Sequence, residues 1–422
     1  MTVVSPCVAA PSPSTSSAPT LKYAEAFLFF RKTERRVPSG TLPRRARRSS
    51  HVACGIPRVQ SDKRVTLVRH GQSTWNQEGR IQGSSDFSVL TAKGEGQAEM
   101  TREALRGYPF DLGFRSPLNR ASRTAEVIWD DRSAELRDLW ELREIDLYSF
   151  QGLLKAEGKA KFGDAYAAWK ADPSNFEIDG HFPVRELWTR GGACWEHVLA
   201  SDGKDVLVVA HNAVIQAMIG NALGLGPEYF RRLVQSNCGL TTFAFSTNGG
   251  VALEKLNQTP ASPLRGNADG SQSRAVLICA SDGQNVNEDE NDEVWVAVAG
   301  ILRDETLTLI QHDGTLSASD AATKVAALLG HDEPTSSSSS IDETITSLRG
   351  SGTAILFASP NTVTSVVSNA LSIDKVSAPV LCLTRGGLTI LDFVGGIENY
   401  QEGESFSSIA CANYAAHLRR CD

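Results

Sequence analysis

Arginine, histidine and a carboxylic acid are the side chains that phosphoryl transfer asks for, and this sequence sets them at strand and helix ends. The run RVTLVRH finishes on Arg69 and His70, side by side and followed at once by Gly71. Arg120 comes directly after FRSPLN, Glu144 lies within ELREIDLYSFQG, and His211 follows DVLVVA. A phosphoryl group in flight carries negative charge on its non-bridging oxygens, which fixed donors must face. Arg69, Arg120 and His211 supply such donors, the arginines as forked pairs that match phosphate geometry. A neutral imidazole attacks phosphorus near neutral pH, which makes His70 the nucleophile of this reading. The departing alkoxide needs a proton, and Glu144 is the acid chosen to give it. No Asp/His constellation suits a metal, so the reading calls for neither metal nor cofactor. Singly, each residue has an ordinary role as a packed histidine, a helix-surface arginine or a surface carboxylate. As a set they are harder to dismiss, because three of them fall where an α/β fold builds its site.

The elements that must hold these groups are legible as alternating strands and helices from Lys63 onward. RVTLVRH reads as a short β-branched parallel strand buried on both faces. Thr91 precedes the helical stretch AKGEGQAEMTREALRG, FDLGFRS is a second strand, and NRASRTAEVIW is a helix after it. DVLVVAHN is a third strand, and AVIQAMIGNALG a helix ending at Gly224. The alternation predicts an α/β fold, a doubly wound, mostly parallel sheet with helices on both faces, over residues 62–256. The Pro/Gly/Ser/Asn-rich stretch 257–273 is expected to be a linker, and 274–422 a second unit. The runs EPTSSSSSIDE and NEDENDE in that unit read as solvated insertions.

The second unit repeats the first. DVLVVAHNAVIQAMIGNALG aligns without a gap to TAILFASPNTVTSVVSNALS, matching Ala210 to Ala358 and Asn221-Ala222-Leu223 to Asn369-Ala370-Leu371. In the same register Gly239-Leu240-Thr241 meets Gly387-Leu388-Thr389, and Phe245 meets Phe393. His211 becomes Ser359. RAVLICAS lines up with RVTLVRHG, so Cys279 and Ala280 stand where Arg69 and His70 do. The expectation is a degenerate second copy of the fold that has lost the reactive groups.

Composition narrows the partners. The chain has 422 residues, 41% of them hydrophobic, enough for two cores. The only strongly basic stretch is residues 1–60, with ten Lys/Arg against Glu25 and Glu34, so the body is acidic and a nucleic-acid partner is disfavoured. No apolar run reaches the length of a membrane span. Residues 1–55, rich in Ser, Ala, Pro and Arg, match an organelle transit peptide and are expected to be disordered. Eight cysteines occur without a C-x-x-C pair. Cys279 and Cys382 read as small core residues, while Cys411 and Cys421 are the candidates for a redox-sensitive thiol.

The stretches LVRHGQSTWNQEGRIQG, RSPLNRASRTAEV, LREIDLYSFQG and VVAHNAVIQAMIGNALG together resemble the histidine phosphatase superfamily, in its cofactor-dependent phosphoglycerate mutase branch, over about residues 62–250. The resemblance implies that His70 is the phosphorylated nucleophile, that Arg69, Arg120 and His211 form the phosphate pocket, and that Glu144 is the proton donor. It sets Asn76, Gln82 and Gly83 in a loop that contacts phosphate or substrate. Glu186 aligns with the glutamate of the family's Gly-Gly-Glu loop, although this chain reads HFPVRELW there and lacks the glycines. Asn212 follows His211 where a glycine is common. IDGHFPVRELW, AHNAV and EYFRRLVQSNCG are similar to photosynthetic members, which implies the chloroplast stroma and a degenerate second half.

The implied function is hydrolysis of a small sugar-acid or sugar phosphate monoester through a phosphohistidine, with 2-carboxy-D-arabinitol 1-phosphate the first candidate substrate. Arg185 and His181 are candidates to meet a substrate carboxylate. A phosphoglycerate mutase or a broad-specificity sugar (bis)phosphatase is the alternative, and a regulatory pseudo-phosphatase the second alternative. The short spacing from Glu144 to His211 favours hydrolysis over the mutase, because mutases of the family carry a longer insertion there.

Overall fold

The computed structural model describes residues 56–259, 264, 273–281, 292–337, 340–348, 352–371, 380–394 and 406–414. Residues 1–55, read above as a transit peptide, Cys421 and most of NEDENDE lie outside the described residues. The first half runs β1 (Lys63–Arg69), α1 (Thr74–Glu78), α2 (Ala92–Leu105), β2 (Leu112–Arg115), α3 (Asn119–Trp129) and β3 (Glu135–Asp138). It continues with α4 (Lys155–Ala171), α5 (Pro183–Ala200), β4 (Asp205–Ala210), α6 (Asn212–Leu223), β5 (Leu240–Phe245) and β6 (Val251–Gln258). The second half holds β7 (Ser273–Cys279), α7 (Asp292–Leu302), β8 (Leu307–His312), α8 (Leu316–Leu329), β9 (Thr335–Ser336) and α9 (Ile341–Leu348). β10 (Thr353–Ala358), α10 (Pro360–Ala370), β11 (Val380–Leu381), β12 (Leu388–Val394) and β13 (Phe406–Tyr414) complete it.

Local chemistry sets the helix ends. The Thr91 hydroxyl accepts from the amide of Gly94 at 3.1 Å and starts α2. Gly224, at φ +71°, stops α6 in the left-handed conformation. β1 is apolar on both faces because helices cover both. Val65 and Leu67 pack in one cluster with Val184 and Trp195 of α5 and Val214 of α6. Val68 packs in another with Leu105 of α2 and Ile128 of α3. Truncating Leu67, which is fully buried, to alanine costs about 2–5 kcal/mol.

Among the described residues the strands form one sheet, in the order β3-β2-β4-β1-β5-β6-β13-β12-β7-β10-β8-β9, with β11 attached to β6. It is mixed, with parallel ladders outnumbering antiparallel ones. β1, β2, β3 and β4 run parallel, but β5 and β6 are antiparallel neighbours because only the short turn 246–250 joins them. From the junction outward the second half repeats the strand order of the first. The ladder β5–β6 shifts register between Leu240 and Thr242 and between Thr242 and Phe243. The ladder β12–β13 shifts between Leu388 and Ile390 and between Ile390 and Leu391.

Three expectations are revised. Asn257, Gln258 and Ser273 belong to strands, so the linker is shorter than 257–273. EPTSSSSSIDE is no mere insertion, since Thr335–Ser336 pairs with β8 as the sheet edge and Ile341 opens α9. The two halves are also not separate bodies, because Leu253 and Leu256 share a core with Leu277, Ile409 and Ala412. Apolar strands next to one another at the junction leave no surface on which a linker could part them. Cys279 is buried as expected, whereas Cys382 is half-buried. Cys411 is buried too, and burial pushes its thiol up to about 12, which leaves it a poor candidate for redox chemistry. Among the described residues no helix is long and apolar enough to cross a membrane.

Candidate active site

Three parallel strands end level and deliver the reactive side chains to one edge. In the ladder β1–β4, Arg69 stands opposite Ala210, and the amide of His70 donates to Ala210 O at 2.9 Å, which brings His70 beside His211. The amide of Ser116, just past β2, donates to Val209 O at 2.9 Å. The rings of His70 and His211 lie 5.1 Å apart between centroids, edge on at 60°. Both are buried.

The tautomer of His70 follows from its neighbour. Nδ1 lies 2.7 Å from the carbonyl oxygen of Gly71, which can only accept, so Nδ1 carries the proton and Nε2 keeps its lone pair. Gly71 allows this close turn, because a Cβ there would stand 2.4 Å from Gly94 O. Burial first, then the cations of Arg120 and Arg69, hold the His70 ring well below the ordinary imidazole value. His211 is depressed in the same way, by burial and then Arg120, and its Nε2 is 2.8 Å from Ser116 Oγ. Two uncharged imidazoles therefore face two guanidinium groups.

Those cations are fixed by carbonyls. Arg120, fully buried at the start of α3, donates to Ser85 O at 2.7 Å and to Gly83 O at 3.0 Å. Burial lowers it to about 10. Arg69 donates to Gln235 O at 2.7 Å. Each guanidinium keeps a buried Nε with no hydrogen-bond partner, and so does His211 at Nδ1. An unpaired buried polar group costs about 1–3 kcal/mol, so an oxyanion meeting these groups would offset a cost already present in the fold. Anion capture is what the cluster is suited to do.

Glu144 joins this cluster from a loop. Its carboxylate accepts from the amides of Ile145 at 2.9 Å, Ala213 at 3.0 Å and Val214 at 3.2 Å, and so caps the first turn of α6. The loop is held from behind by Arg190 of α5, which donates to Glu144 O at 2.8 Å, to Glu141 O at 3.1 Å and to Arg143 O.

The remaining expected residues are placed as follows. Asn76 and Ser73 form a capping box on α1, and Asn76 Oδ1 also receives Asn237 Nδ2 at 3.4 Å. Gln82 donates to Ser73 Oγ at 2.9 Å. Gly83, at φ +53°, is the turn whose carbonyl anchors Arg120. Asn212 opens α6 and receives Gln216 Nε2 at 3.1 Å. Glu186 bonds Tyr148 Oη at 2.8 Å, His181 Nδ1 at 3.1 Å and the Phe182 amide at 3.2 Å, not any member of the cluster. His181 stacks on Tyr148 at 4.0 Å. Arg185 is turned onto Ser174 O and Asn175 Oδ1. Sequence reasoning missed Ser116, Arg190, Gln235 and Asn237. Ser116 carried a signal, its place just past a strand end; the other three carried none.

Two neutral histidines at strand ends, half-buried Arg69 at the end of β1 and buried Arg120 at the start of α3 agree with the match of residues 65–259 to the model of the histidine phosphatase superfamily (branch 1). The chain belongs to that superfamily. Within it, the chain is 50% identical over 283 residues to a probable 2-carboxy-D-arabinitol-1-phosphatase from Arabidopsis thaliana, covering 64% of this chain and 59% of that one. It is 53% identical over 255 residues to a 2-carboxy-D-arabinitol-1-phosphatase from Triticum aestivum, covering 58% and 52%. A probable phosphoglycerate mutase GpmB from Salmonella typhi is 33% identical over 193 residues, 44% of this chain and 87% of that one. The chain thus spans between half and three fifths of the length of the two plant relatives.

Proposed function

We propose that this protein is a phosphatase that hydrolyses a small sugar-acid or sugar phosphate monoester through a phosphohistidine at His70. The observation that carries the reading is the Nδ1–Gly71 O bond, which leaves Nε2 of an uncharged ring free beside the guanidinium groups of buried Arg120 and half-buried Arg69. Nε2 attacks phosphorus in line, the P–O bond to the sugar breaks, and Arg69, Arg120 and His211 hold the non-bridging oxygens. Glu144 enters the step in its protonated form, gives that proton to the departing alkoxide as it becomes a carboxylate, and then takes one from the water that attacks the phosphohistidine, releasing inorganic phosphate and restoring the acid. An arriving dianion competes with the Glu144 carboxylate for the amides at the start of α6, which frees the carboxyl group to turn toward the leaving oxygen. Asn76, Gln82, Gly83, Asn212 and Glu186 shape the surrounding loops in this account.

The names borne by the plant relatives support 2-carboxy-D-arabinitol 1-phosphate as the first substrate to try, and the Ser-, Ala-, Pro- and Arg-rich composition of residues 1–55 supports a transit peptide and the chloroplast stroma as the compartment. The likeness to GpmB keeps a mutase as the second reading. We further infer that 274–422 is a degenerate copy of 62–256. The repeated strand order and the matching register shifts of β5–β6 and β12–β13 support it. In that copy Cys279 and Ala280 pair with β10 as Arg69 and His70 pair with β4.

Rapid quench with labelled ester, followed by peptide mapping, should find phosphate on the peptide bearing His70. Full turnover by His70→Ala would refute the mechanism. A panel of sugar phosphates, including ribulose 1,5-bisphosphate and fructose bisphosphates, ranked by kcat/KM, tests the substrate. Comparing phosphate release with conversion of 3- to 2-phosphoglycerate separates hydrolase from mutase.

A further inference from the structure

The two halves meet through a reciprocal contact of the kind that joins identical subunits around a twofold axis. β6 and β13 pair antiparallel at Leu256 and Ala412. The stretch 232–234 lies along β13, with Ile409 N donating to Arg232 O at 2.8 Å and Val234 N to Ile409 O at 3.1 Å. In return β11 lies along β6, with Leu381 opposite Leu253 and Cys382 N donating to Leu253 O at 3.1 Å. Asn257 and Asn413 share a left-handed backbone, at φ +51° and +52°. Each sends its amide across the junction. Asn257 Nδ2 donates to Ala410 O at 2.7 Å, and Asn413 Nδ2 to Glu254 O at 3.2 Å. Each also accepts a backbone amide within its own half, from Ser236 at 2.7 Å and from Thr384 at 2.8 Å.

Only one side of this symmetric device leads to reactive groups. Gln235 O receives Arg69 Nη1 at 2.7 Å, Asn237 Nδ2 donates to His70 O at 2.8 Å, and Cys238 N donates to Arg69 O at 2.9 Å. On the other side Gly386 N donates to Cys279 O, which no phosphate clamp follows. We propose that the C-terminal half serves as a permanent in-chain partner whose strand β13 holds residues 232–238 in register and so aims Arg69 and His70, with Asn257 the positioning residue that ties this segment to β13. The proposal rests on the phosphate-site reading above and assigns the second half a role in it.

The near-symmetry of the junction supplies its own control. Glycine accepts a left-handed backbone without strain, so Asn257→Gly and Asn413→Gly each remove one side-chain amide, Asn257 losing in addition its bond to Ser236 Oγ at 3.2 Å. In the full-length chain both variants should lower Tm to a similar extent. Asn257→Gly should weaken binding of inorganic phosphate, measured by calorimetry, at least ten-fold and raise KM for an aryl phosphate more than it lowers kcat. Asn413→Gly should leave both constants within two-fold. If Asn257→Gly does not fold, Asn257→Asp, which keeps the acceptor for Ser236 and loses the donor to Ala410, is read the same way. Equal effects of the two sites, or no effect of either on phosphate binding, would overturn the positioning role while leaving the phosphatase reading intact. A chain that binds phosphate with this asymmetry yet hydrolyses no ester would do the reverse. No phosphate binding by the unaltered chain would sink both.

Discussion

Arg190 Nη2 donates to the carbonyl oxygen of Glu144 at 2.8 Å, so the candidate acid hangs from a helix residue that lies 46 positions further along the chain. Replacing Arg190 by glutamine should remove the shared anchor of the carbonyls at 141, 143 and 144. Misplacement of a reacting group by an ångström costs up to about 100-fold in rate, so kcat should fall ~10- to 100-fold with KM nearly unchanged. Steady-state kinetics on any turned-over ester would check it. A rise in KM alone would place Arg190 in substrate binding instead.

The depressed imidazoles set a pH signature. His70 and His211 stay neutral in the fold below the pH at which the unfolded chain protonates them, so over that window the unfolded state binds more protons. Stability from these rings is therefore fully present above about pH 6.5 and declines as pH falls. Thermal unfolding followed from pH 7.5 to 5 should show a falling Tm, with a shallower fall in His211→Gln. By the same sign, the acid limb of kcat/KM should lie below the ordinary histidine range, once substrate ionisation is allowed for.

Inorganic phosphate should stabilise the protein by engaging the unpaired Nε groups of Arg69 and Arg120. At 100 times its Kd, a ligand bound only by the folded state adds about 2.7 kcal/mol, and differential scanning fluorimetry would register this as a rise in Tm. Arg120→Lys keeps the charge but loses the fork that spans Gly83 O and Ser85 O, so most of the rise should vanish.

Gly83→Ala tests the loop under Arg120. At φ +53° an L-residue costs about 1–2 kcal/mol, and the new Cβ would stand 2.1 Å from Gln151 Oε1. Both effects shift the carbonyl that anchors Arg120. A lower Tm together with a KM raised several-fold is expected; unchanged KM would show that Arg120 is held by Ser85 alone.

The sequence by itself determined the strands and helices that carry the candidate site residues. Strand and helix periods are local, and a β-branched run ending in Arg69-His70-Gly71 marks a strand end within seven residues. The sequence likeness between the two halves was legible for the same reason, since two segments with one pattern can be laid on each other without knowing where either sits. Tertiary structure decided what depends on residues far apart in the chain. Nothing near Glu144 says that its carboxylate caps α6, nothing near Arg190 says which carbonyls it gathers, and Glu186 is bound by Tyr148 and His181 only because two loops meet. The continuous sheet belongs to the same class. Whether an apolar edge strand such as β6 is covered by a loop, a second molecule or the chain's own β13 depends on pairings between residues more than a hundred positions apart, for which no local signal exists.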